Sequence, residues 1–225
     1  MIISEKLSTT GQIASSIAHE IKNPLTNIIT ASKLLSTAKT PDMIDKYFEI
    51  CERNSWLAID KVNALLEYAK QTKMNYTESS LRTILKDAIN LAKGSLEKYE
   101  VEANLIYKTY DDVIRVDRKE FTGALVNLIL NSVQAMEEKK ENKHIDLILS
   151  KEDNEFIIEI SDNGSGIPAE TIPKVFTPFF TSKESGTGLG LSYAQKVVIE
   201  HSGHISIKSE LDRGTQVLIK LPVNS

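Results

Sequence analysis

Apolar residues recur at seven-residue intervals through roughly the first 72 residues of the chain. One series consists of Leu7, Ala14, Ile21, Ile28 and Leu35. Two further series follow a break at 39–42, and they consist of Ile44, Cys51, Ala58 and Leu65, and of Phe48, Ser55, Val62 and Ala69. Thr40 and Pro41 suit the N-cap and the first position of the second helix. The pattern therefore predicts an antiparallel hairpin of two helices joined by a short loop.

A single hairpin cannot bury its apolar positions on both sides. We therefore expect two copies of the chain to pair as a homodimer, so that their hairpins form a four-helix bundle. The pattern leaves an alternative open, in which the two helices form an intramolecular coiled coil that packs on the rest of the chain.

After residue 78 the pattern changes to alternating strands and helices. It predicts helices over 81–99, 118–138 and 189–201, and strands over 103–107, 113–116, 144–150, 156–161, 205–210 and 216–221. A Gly/Pro/Thr-rich stretch covers 163–187, and a loop of that length inside a compact domain is usually functional. The predicted fold class is multidomain, α plus α/β, with a helical hairpin over 1–72, a linker over 73–78 and a mixed α/β domain over 79–225.

Composition and charge narrow the range of functions. The 225 residues carry a formal net charge of -4 and no block of basic residues, which argues against a nucleic-acid partner. No run of about 18 apolar residues occurs, so no membrane contact is expected from this segment. The single cysteine suits a reducing compartment. We expect a cytoplasmic segment, whether or not a parent protein is anchored in a membrane.

His19 and Asn23 lie one helical turn apart on the first predicted helix, outside its apolar stripe, so both side chains should face water. Pro24 follows them. Inside a helix a proline costs about 3 kcal/mol, because it removes a backbone hydrogen bond and clashes with the preceding turn. Such a violation beside an exposed histidine is typical of a functional site. On the pattern alone, a surface histidine beside a packing kink is an equally good interpretation.

Two asparagines, Asn127 and Asn131, share one face of an otherwise apolar predicted helix. One amide oxygen, completed by phosphates and water, is enough protein ligation for Mg²⁺. The alternative is that both asparagines face solvent, and the pattern alone slightly favours it.

Two glycine-containing segments lie in the long loop. Asp162–Pro168 follows a predicted strand, and its carboxylate could accept a hydrogen bond from the amine of adenine, although on the pattern alone an ordinary turn is the commoner explanation. Gly186–Ser192 leads into a helix, where backbone N–H groups can face phosphates. It is neither a Walker A loop nor a dinucleotide fingerprint, because the lysine of the one and the last glycine of the other are missing.

The segment His-Glu-x-x-Asn-Pro-Leu at 19–25 resembles the H-box of bacterial sensor histidine kinases. Segments at 127–136, 162–168, 176–183 and 186–192 resemble, in the same order, the N, G1, F and G2 boxes of those kinases, and Gly214–Thr215 matches a short final box. The resemblance covers nearly the whole chain and is to the nitrogen-regulation and sporulation kinase groups. It implies that 79–225 is an α/β sandwich of the ATPase superfamily that also includes Hsp90-type chaperones and gyrase B-type subunits.

The resemblance also implies roles for the first helix. His19 would be the phosphoacceptor, since a neutral imidazole is a competent nucleophile near pH 7. Glu20 would orient the ring and accept its other N–H, and Asn23 would position water for removing phosphate from a response regulator.

In the second half, the resemblance implies that Asn131 ligates Mg²⁺, Asp162 recognises the adenine of ATP and Lys183 contacts phosphate. The other implied nucleotide contacts are Asn127, Gly164, Gly166, Gly186, Thr187, Gly188, Leu189, Gly190 and Thr215. Many relatives have a cation three residues after the metal ligand, whereas this chain has the uncharged Gln134.

The predicted function is ATP-dependent autophosphorylation of His19 followed by transfer to an aspartate of a response-regulator receiver domain, with response-regulator phosphatase activity as an additional expectation. Two alternatives belong to other classes. One is an ATP-driven clamp of the chaperone or topoisomerase kind, which forms no phosphohistidine. The other is a non-catalytic dimeric scaffold with a degenerate nucleotide pocket.

Overall fold

The computed structural model describes residues 21–69, 73–139, 141–181 and 186–223. The chain forms two compact units. The first contains the residues up to 71 together with the segment 178–189, and the second contains 72–177 and 190–225.

The first unit contains the predicted helical hairpin. Helix α1 covers 21–35 of the described residues, and helix α2 spans Pro41–Ala69. Thr40 caps α2, because its hydroxyl accepts from the Met43 N–H at 3.4 Å and its carbonyl accepts from the Ile44 N–H at 3.2 Å. Neither α2, at 29 residues, nor any other helix of the described chain has the length and hydropathy that a membrane span needs.

A polar pair lies in the seam between α1 and α2. Asn54 is only 5% exposed, and its side-chain oxygen accepts from the Asn27 amide at 3.0 Å. The Asn54 amide in turn donates to the carbonyl of Ile50 at 2.7 Å. One turn away, the Cys51 thiol lies 3.8 Å from the carbonyl of Ile28, so this cysteine packs in the seam as the heptad pattern predicts. A buried asparagine pair of this kind fixes the register of two helices.

The second unit is built on a five-stranded mixed sheet and a separate two-stranded ribbon. Its strands are β1 (Thr77–Ser80), β2 (Glu102–Tyr107), β3 (Val113–Val116), β4 (His144–Glu152), β5 (Glu155–Asp162), β6 (His204–Glu210) and β7 (Gly214–Pro222). Its helices are α3 (Leu81–Lys98), α4 (Arg118–Ala135) and α5 (Gly190–Glu200), with a 3₁₀ turn at Ile172–Lys174. The sheet order is β2-β4-β5-β7-β6, with β2 parallel to β4 and the other neighbours antiparallel, and β1 pairs with β3.

Alternation along the strands places one face of the large sheet against the helices. In β4, Ile145, Leu147 and Leu149 are fully buried, whereas the residues between them are not. They join one core with Phe121 and Leu125 of α4 and with apolar residues of α3 and α5. The predicted helical hairpin followed by an α/β sandwich is therefore confirmed.

Helix α4 ends at Ala135, three residues before the predicted end. The carbonyl of Ala135 accepts the N–H of Ser165, at 2.9 Å, so a distant loop occupies a group that a longer helix would use. Met136 follows as a fully buried C-cap, with its N–H 3.0 Å from the carbonyl of Val133. A contact across this distance in sequence leaves no local signal.

Strand β1 lies partly inside the predicted linker, since it begins at Thr77. Its sequence, Thr-Glu-Ser-Ser, has no apolar alternation, and the strand exists through its pairing with β3, from Thr77 opposite Val116 to Ser80 opposite Val113. Ser80 also caps α3 by accepting from the Thr83 N–H. The boundaries between domain and linker stay a prediction.

His201 joins the end of α5 to the start of α4. Its Nε2 accepts from the Asp117 N–H at 2.8 Å, and its Nδ1 lies 2.7 Å from the carbonyl of Val197. A carbonyl can only accept, so Nδ1 carries the proton and Nε2 does not. The ring is 1% exposed and lies edge-on to those of Tyr76 and Phe121, at centroid distances of 5.3 and 5.4 Å. This histidine is a hydrogen-bonded part of the core.

Candidate functional site

The predicted phosphoacceptor site lies at the edge of the described chain. His19 and Glu20 lie outside the described residues, whereas Asn23 is exposed on α1, as the heptad pattern predicts. Pro24 stands inside the helix with its ring buried. The roles of the three polar residues stay predictions.

The two asparagines of α4 face the start of α5. A Cβ built on Gly190 would lie 3.4 Å from Asn127 Oδ1 and 3.6 Å from Asn131 Nδ2, so both amides lie on one face of α4, as their spacing predicts. The Asn127 amide donates to the carbonyl of Gly123 at 3.2 Å. Gly190 is the first residue of α5. This arrangement places two amides beside a helix N-terminus, where they can face an anionic ligand.

The amide of Asn131 fits the expected magnesium role. No hydrogen bond of this half-buried side chain is seen within the described residues, so its oxygen can serve as a ligand. Mg²⁺ retains several waters and needs few protein oxygens. Across 21–69, 73–139, 141–181 and 186–223, no cluster of three His, Cys, Asp or Glu side chains is placed to hold a metal.

Asp162, the last residue of β5, is held by backbone N–H groups. Its Oδ1 accepts from Gly164 at 2.9 Å and from Thr215 on the neighbouring strand β7 at 3.2 Å. The first contact closes an Asx turn, and the second joins two residues that lie directly opposite each other in the sheet. The carboxylate therefore has a fixed orientation on the helix-packed face of the sheet.

Two glycines allow this loop to lie directly on its neighbours. A Cβ on Gly164 would lie 2.8 Å from the carbonyl oxygen of Ala135, at the end of α4. Gly166 has a φ of +70°, and its Cβ would lie 2.1 Å from the carbonyl oxygen of Glu210, at the end of β6. A side chain at either position would displace backbone. Close packing of the loop therefore requires glycine at both positions, in addition to the contact with a flat base that the resemblance implies.

The segment 178–189 belongs to the first unit, and its two described ends meet. The Phe179 N–H donates to the carbonyl of Gly188 at 2.9 Å, and a Cβ on Gly188, whose φ is +65°, would lie 2.4 Å from the Phe179 carbonyl carbon. Phe179 and Leu189 are buried, whereas Gly186 and Thr187 are half-buried. Lys183 lies outside the described residues. In the same unit, Lys61 of α2 donates to the carbonyl of Gly186 at 3.1 Å.

Two positioning residues have no counterpart among the sequence predictions. Asn163 accepts from the His144 N–H at 3.2 Å, and its amide donates to the carbonyl of Asn142 at 2.5 Å, so it fastens the loop after β5 to the start of β4. Ser209 of β6 bonds to three groups around Thr215. Its signal in the sequence is the alternation of β6, but only the register of β6 against β7 identifies its partner.

Two family profiles match the chain in succession. Residues 9–73 match the His Kinase A (phospho-acceptor) domain, and residues 116–225 match the histidine kinase-, DNA gyrase B- and HSP90-like ATPase. The chain belongs to the sensor histidine kinases. A clamp ATPase has no phosphoacceptor domain, so the match over 9–73 decides against that alternative.

Individual relatives agree with this assignment. Sporulation kinase D of Bacillus subtilis is 33% identical over 98% of the chain, and the sensor histidine kinase ZraS of Escherichia coli is 29% identical over 98%. These alignments cover 43% and 47% of the two relatives, so the chain spans about half of their length. Among solved structures, the histidine kinase ThkA, in complex with the response regulator protein TrrA, is similar with a TM-score of 0.79 and 26% identity over 98% of this chain and 64% of that one.

Proposed function

We propose that this kinase core uses ATP to phosphorylate His19 and then passes the phosphoryl group to an aspartate of a response-regulator receiver domain. The observation that carries the proposal is the presence, in one chain and in this order, of a phosphoacceptor domain and an ATPase domain. The donor and the acceptor of the phosphoryl group then belong to one protein.

In the second unit, Asp162 would accept a hydrogen bond from the exocyclic amine of adenine. The two backbone N–H groups on its Oδ1 support this role, because they orient the carboxylate before the nucleotide arrives. Thr215 lies opposite it in the sheet and would complete the contact to the base. The backbone of the two close-packed glycines, Gly164 and Gly166, would face the ring, and that of Gly190, the first residue of α5, would face the phosphates.

Asn131 would hold Mg²⁺ through its amide oxygen, and Asn127 would line the same face of α4. The ion, when bound, neutralises charge on the phosphates during transfer. Lys183 would contribute a further positive charge. Because phosphoryl transfer needs little covalent chemistry from the protein, positioning and charge neutralisation account for most of the catalysis.

At the acceptor, a lone pair on one imidazole nitrogen of His19 attacks the γ-phosphorus. A P–N bond forms, the bond from the γ-phosphorus to the bridging oxygen breaks, and ADP leaves with that electron pair. Glu20 orients the ring by accepting a hydrogen bond from the N–H of the other nitrogen, and as general base it takes that proton as the P–N bond forms, so that the ring stays neutral. The phosphoramidate stays reactive enough for its phosphoryl group to pass to a carboxylate of the response regulator.

We infer that the face of α1 that carries Asn23 belongs, together with His19, to the docking surface for the receiver domain. The exposure of Asn23 supports this, since its amide is accessible to a partner and to water. The same amide would position water for hydrolysis of the phosphorylated response regulator. Replacing Asn23 with Ala should slow that hydrolysis while leaving the labelling of His19 intact.

The deciding experiment is incubation of the chain with γ-labelled ATP and Mg²⁺. We expect label on the protein that is stable in alkali and lost in acid, as a phosphohistidine is, and that is absent from His19→Ala. Asp162→Ala should remove both ATP binding and the label, whereas His19→Ala should still bind ATP. A chain that binds ATP but never carries label would contradict the kinase, and one that binds no ATP would revive the scaffold alternative.

A further inference from the structure

Three side chains form a row across three neighbouring strands at the end of the sheet. Asp162 of β5 lies opposite Thr215 of β7, and Thr215 lies opposite Ser209 of β6. Residues directly opposite each other project from the same face of a sheet. The next row consists of Ile160, Val217 and Ile207, two of which are buried in the core and one of which packs against it, so both rows lie on the helix-packed face.

The hydrogen bonds of Ser209 determine where its proton lies. Its Oγ is 2.8 Å from the Ile167 N–H nitrogen, 2.8 Å from the carbonyl oxygen of Gly214 and 2.9 Å from Thr215 Oγ1. A hydroxyl has one proton and two lone pairs, a backbone N–H can only donate, and a carbonyl can only accept. The Ser209 proton therefore points to Gly214, and Ser209 accepts from Ile167 and from the hydroxyl of Thr215.

This assignment fixes the polarity of Thr215. Its hydroxyl proton is used on Ser209, so only lone pairs remain to face a ligand. Next to it stands the carboxylate of Asp162, which is also an acceptor. The row thus presents acceptors to whatever occupies the space in front of it.

We propose that Ser209 is a specificity-determining residue, which makes the site select a base with an exocyclic amine over one with a carbonyl in the same position. Adenine carries an amine there and guanine a carbonyl. The inference rests on the proposed function, because it takes Asp162 as the base-recognising residue. When Ser209 is absent, the Thr215 hydroxyl is free to rotate and donate to the guanine carbonyl. The site then rejects guanine less strongly.

The test is calorimetric titration of the full chain with ADP and with GDP, which avoids any phosphoryl transfer. Ser209→Ala should lower the ratio of the GDP to the ADP dissociation constant about tenfold, the size expected from one buried hydrogen-bonding group. Ser209→Thr keeps the hydroxyl and should keep the ratio of the parent chain. If Ser209 served only to stabilise the fold, Ser209→Ala would weaken ADP and GDP binding equally and leave the ratio unchanged.

Thr215→Val serves as the matched variant, because it replaces the hydroxyl by a methyl group that can neither accept nor donate. Thr215→Val should weaken ADP binding severalfold without strengthening GDP binding. In the double variant with Ser209→Ala, the gain in GDP binding should disappear. Unchanged ADP binding in Thr215→Val overturns the inference even if Ser209→Ala does not fold. An unchanged ratio in folded Ser209→Ala also overturns it, and leaves the proposed function standing if Asp162→Ala still abolishes ADP binding. A parent chain that binds no ADP overturns both.

Discussion

Single polar side chains hold the loops of the second unit in place. Asn163 bonds to two backbone groups of the turn 142–144, and Ser209 bonds to the backbone of Ile167 and Gly214. His201 bonds to backbone groups at the start of α4 and in the last turn of α5. In each case the side chain bonds to backbone N–H or C=O groups in a loop or near the end of a helix or strand. A substitution at such a residue acts on the site by moving backbone.

Replacing His201 with Leu should lower the free energy of unfolding by about 1–3 kcal/mol, because the Asp117 N–H loses its buried partner, whereas the Val197 carbonyl keeps the backbone N–H of residue 201. Urea-induced equilibrium unfolding, followed by circular dichroism, measures the change. His204→Leu is the control, since this histidine is exposed three residues further on, and it should stay within about 0.5 kcal/mol of the parent. Equal losses for the two variants would contradict the role of His201.

Tyr107 of β2 should make stability depend on pH in alkali. Burial raises the pKa of its phenol, while Arg82, 4.8 Å from the ring centroid, acts in the opposite direction. The folded state thus favours the neutral phenol. The contribution of Tyr107 to stability is therefore complete below the pKa of the unfolded chain, about 10, and is lost as pH rises through the raised pKa of the folded chain. The hydroxyl is buried and has no hydrogen-bond partner among the described residues.

We therefore expect Tyr107→Phe to retain the stability of the parent at pH 7 and to lose less stability than the parent above about pH 10. Urea midpoints measured across this pH range provide the comparison. Tyr110→Phe is the matched control, because Tyr110 is 96% exposed and should follow the parent. If Tyr107→Phe lost stability more steeply than the parent in alkali, the predicted direction of the pH dependence would be wrong.

At the scale of elements, two glycines should respond in opposite directions to the same change. Gly94 lies exposed in α3 with nothing within 4 Å of a new Cβ, so Gly94→Ala should stabilise the protein by about 0.5–1 kcal/mol. Gly166 has a positive φ, and its Cβ would meet the carbonyl of Glu210, so Gly166→Ala should destabilise it by more than that. Thermal midpoints measure both. Similar midpoints for the two variants would mean that the backbone at the end of β6 moves away from the new Cβ at little cost in free energy, which would contradict the prediction.

Periodicity predicts those elements whose reason is local. Strands β4 and β7 alternate over most of their nine residues, β5 contains a short apolar run, and α3 carries its own cap in Ser80, so their existence could be inferred. Strand β1 and the end of α4 depend on distant partners, namely β3 and Ser165, and could not. The same division holds in the site. Motifs predict Asp162 and Asn131 as site residues, and both stay predictions, whereas Ser209 becomes a candidate only from the register of β6 against β7.

For the molecule as a whole, the hairpin presents a large apolar surface within the described residues. The large apolar side chains of α1 and α2 that are at least 38% exposed are Leu25, Ile29, Leu34, Met43, Ile44, Phe48, Trp56, Ile59 and Val62. Of the two apolar series predicted on α2, one has Cys51 and Ala58 half-buried, although its first member Ile44 is exposed, whereas the described members of the other, Phe48, Ser55 and Val62, are all exposed. Large apolar side chains exposed at this density on one hairpin are typical of an interaction surface. The exposed series is where we expect the second copy to pack.

Phe48→Glu should therefore convert a dimer into a monomer. Phe48 is 60% exposed in the single chain, and burying a side chain of this size contributes about 1.5–3 kcal/mol, twice over in a symmetric dimer. Burying the charge of a glutamate there would add a desolvation cost. Sedimentation equilibrium gives the mass, and ADP binding reports whether the second unit stays intact. Trp56→Glu is the control. Trp56 is also 60% exposed, but it lies outside the exposed series, about 100° around the helix from Ser55. A Phe48→Glu chain that stays dimeric would show that the exposed series is not the dimer interface. A parent chain that is monomeric at all concentrations would show that no second copy covers this surface.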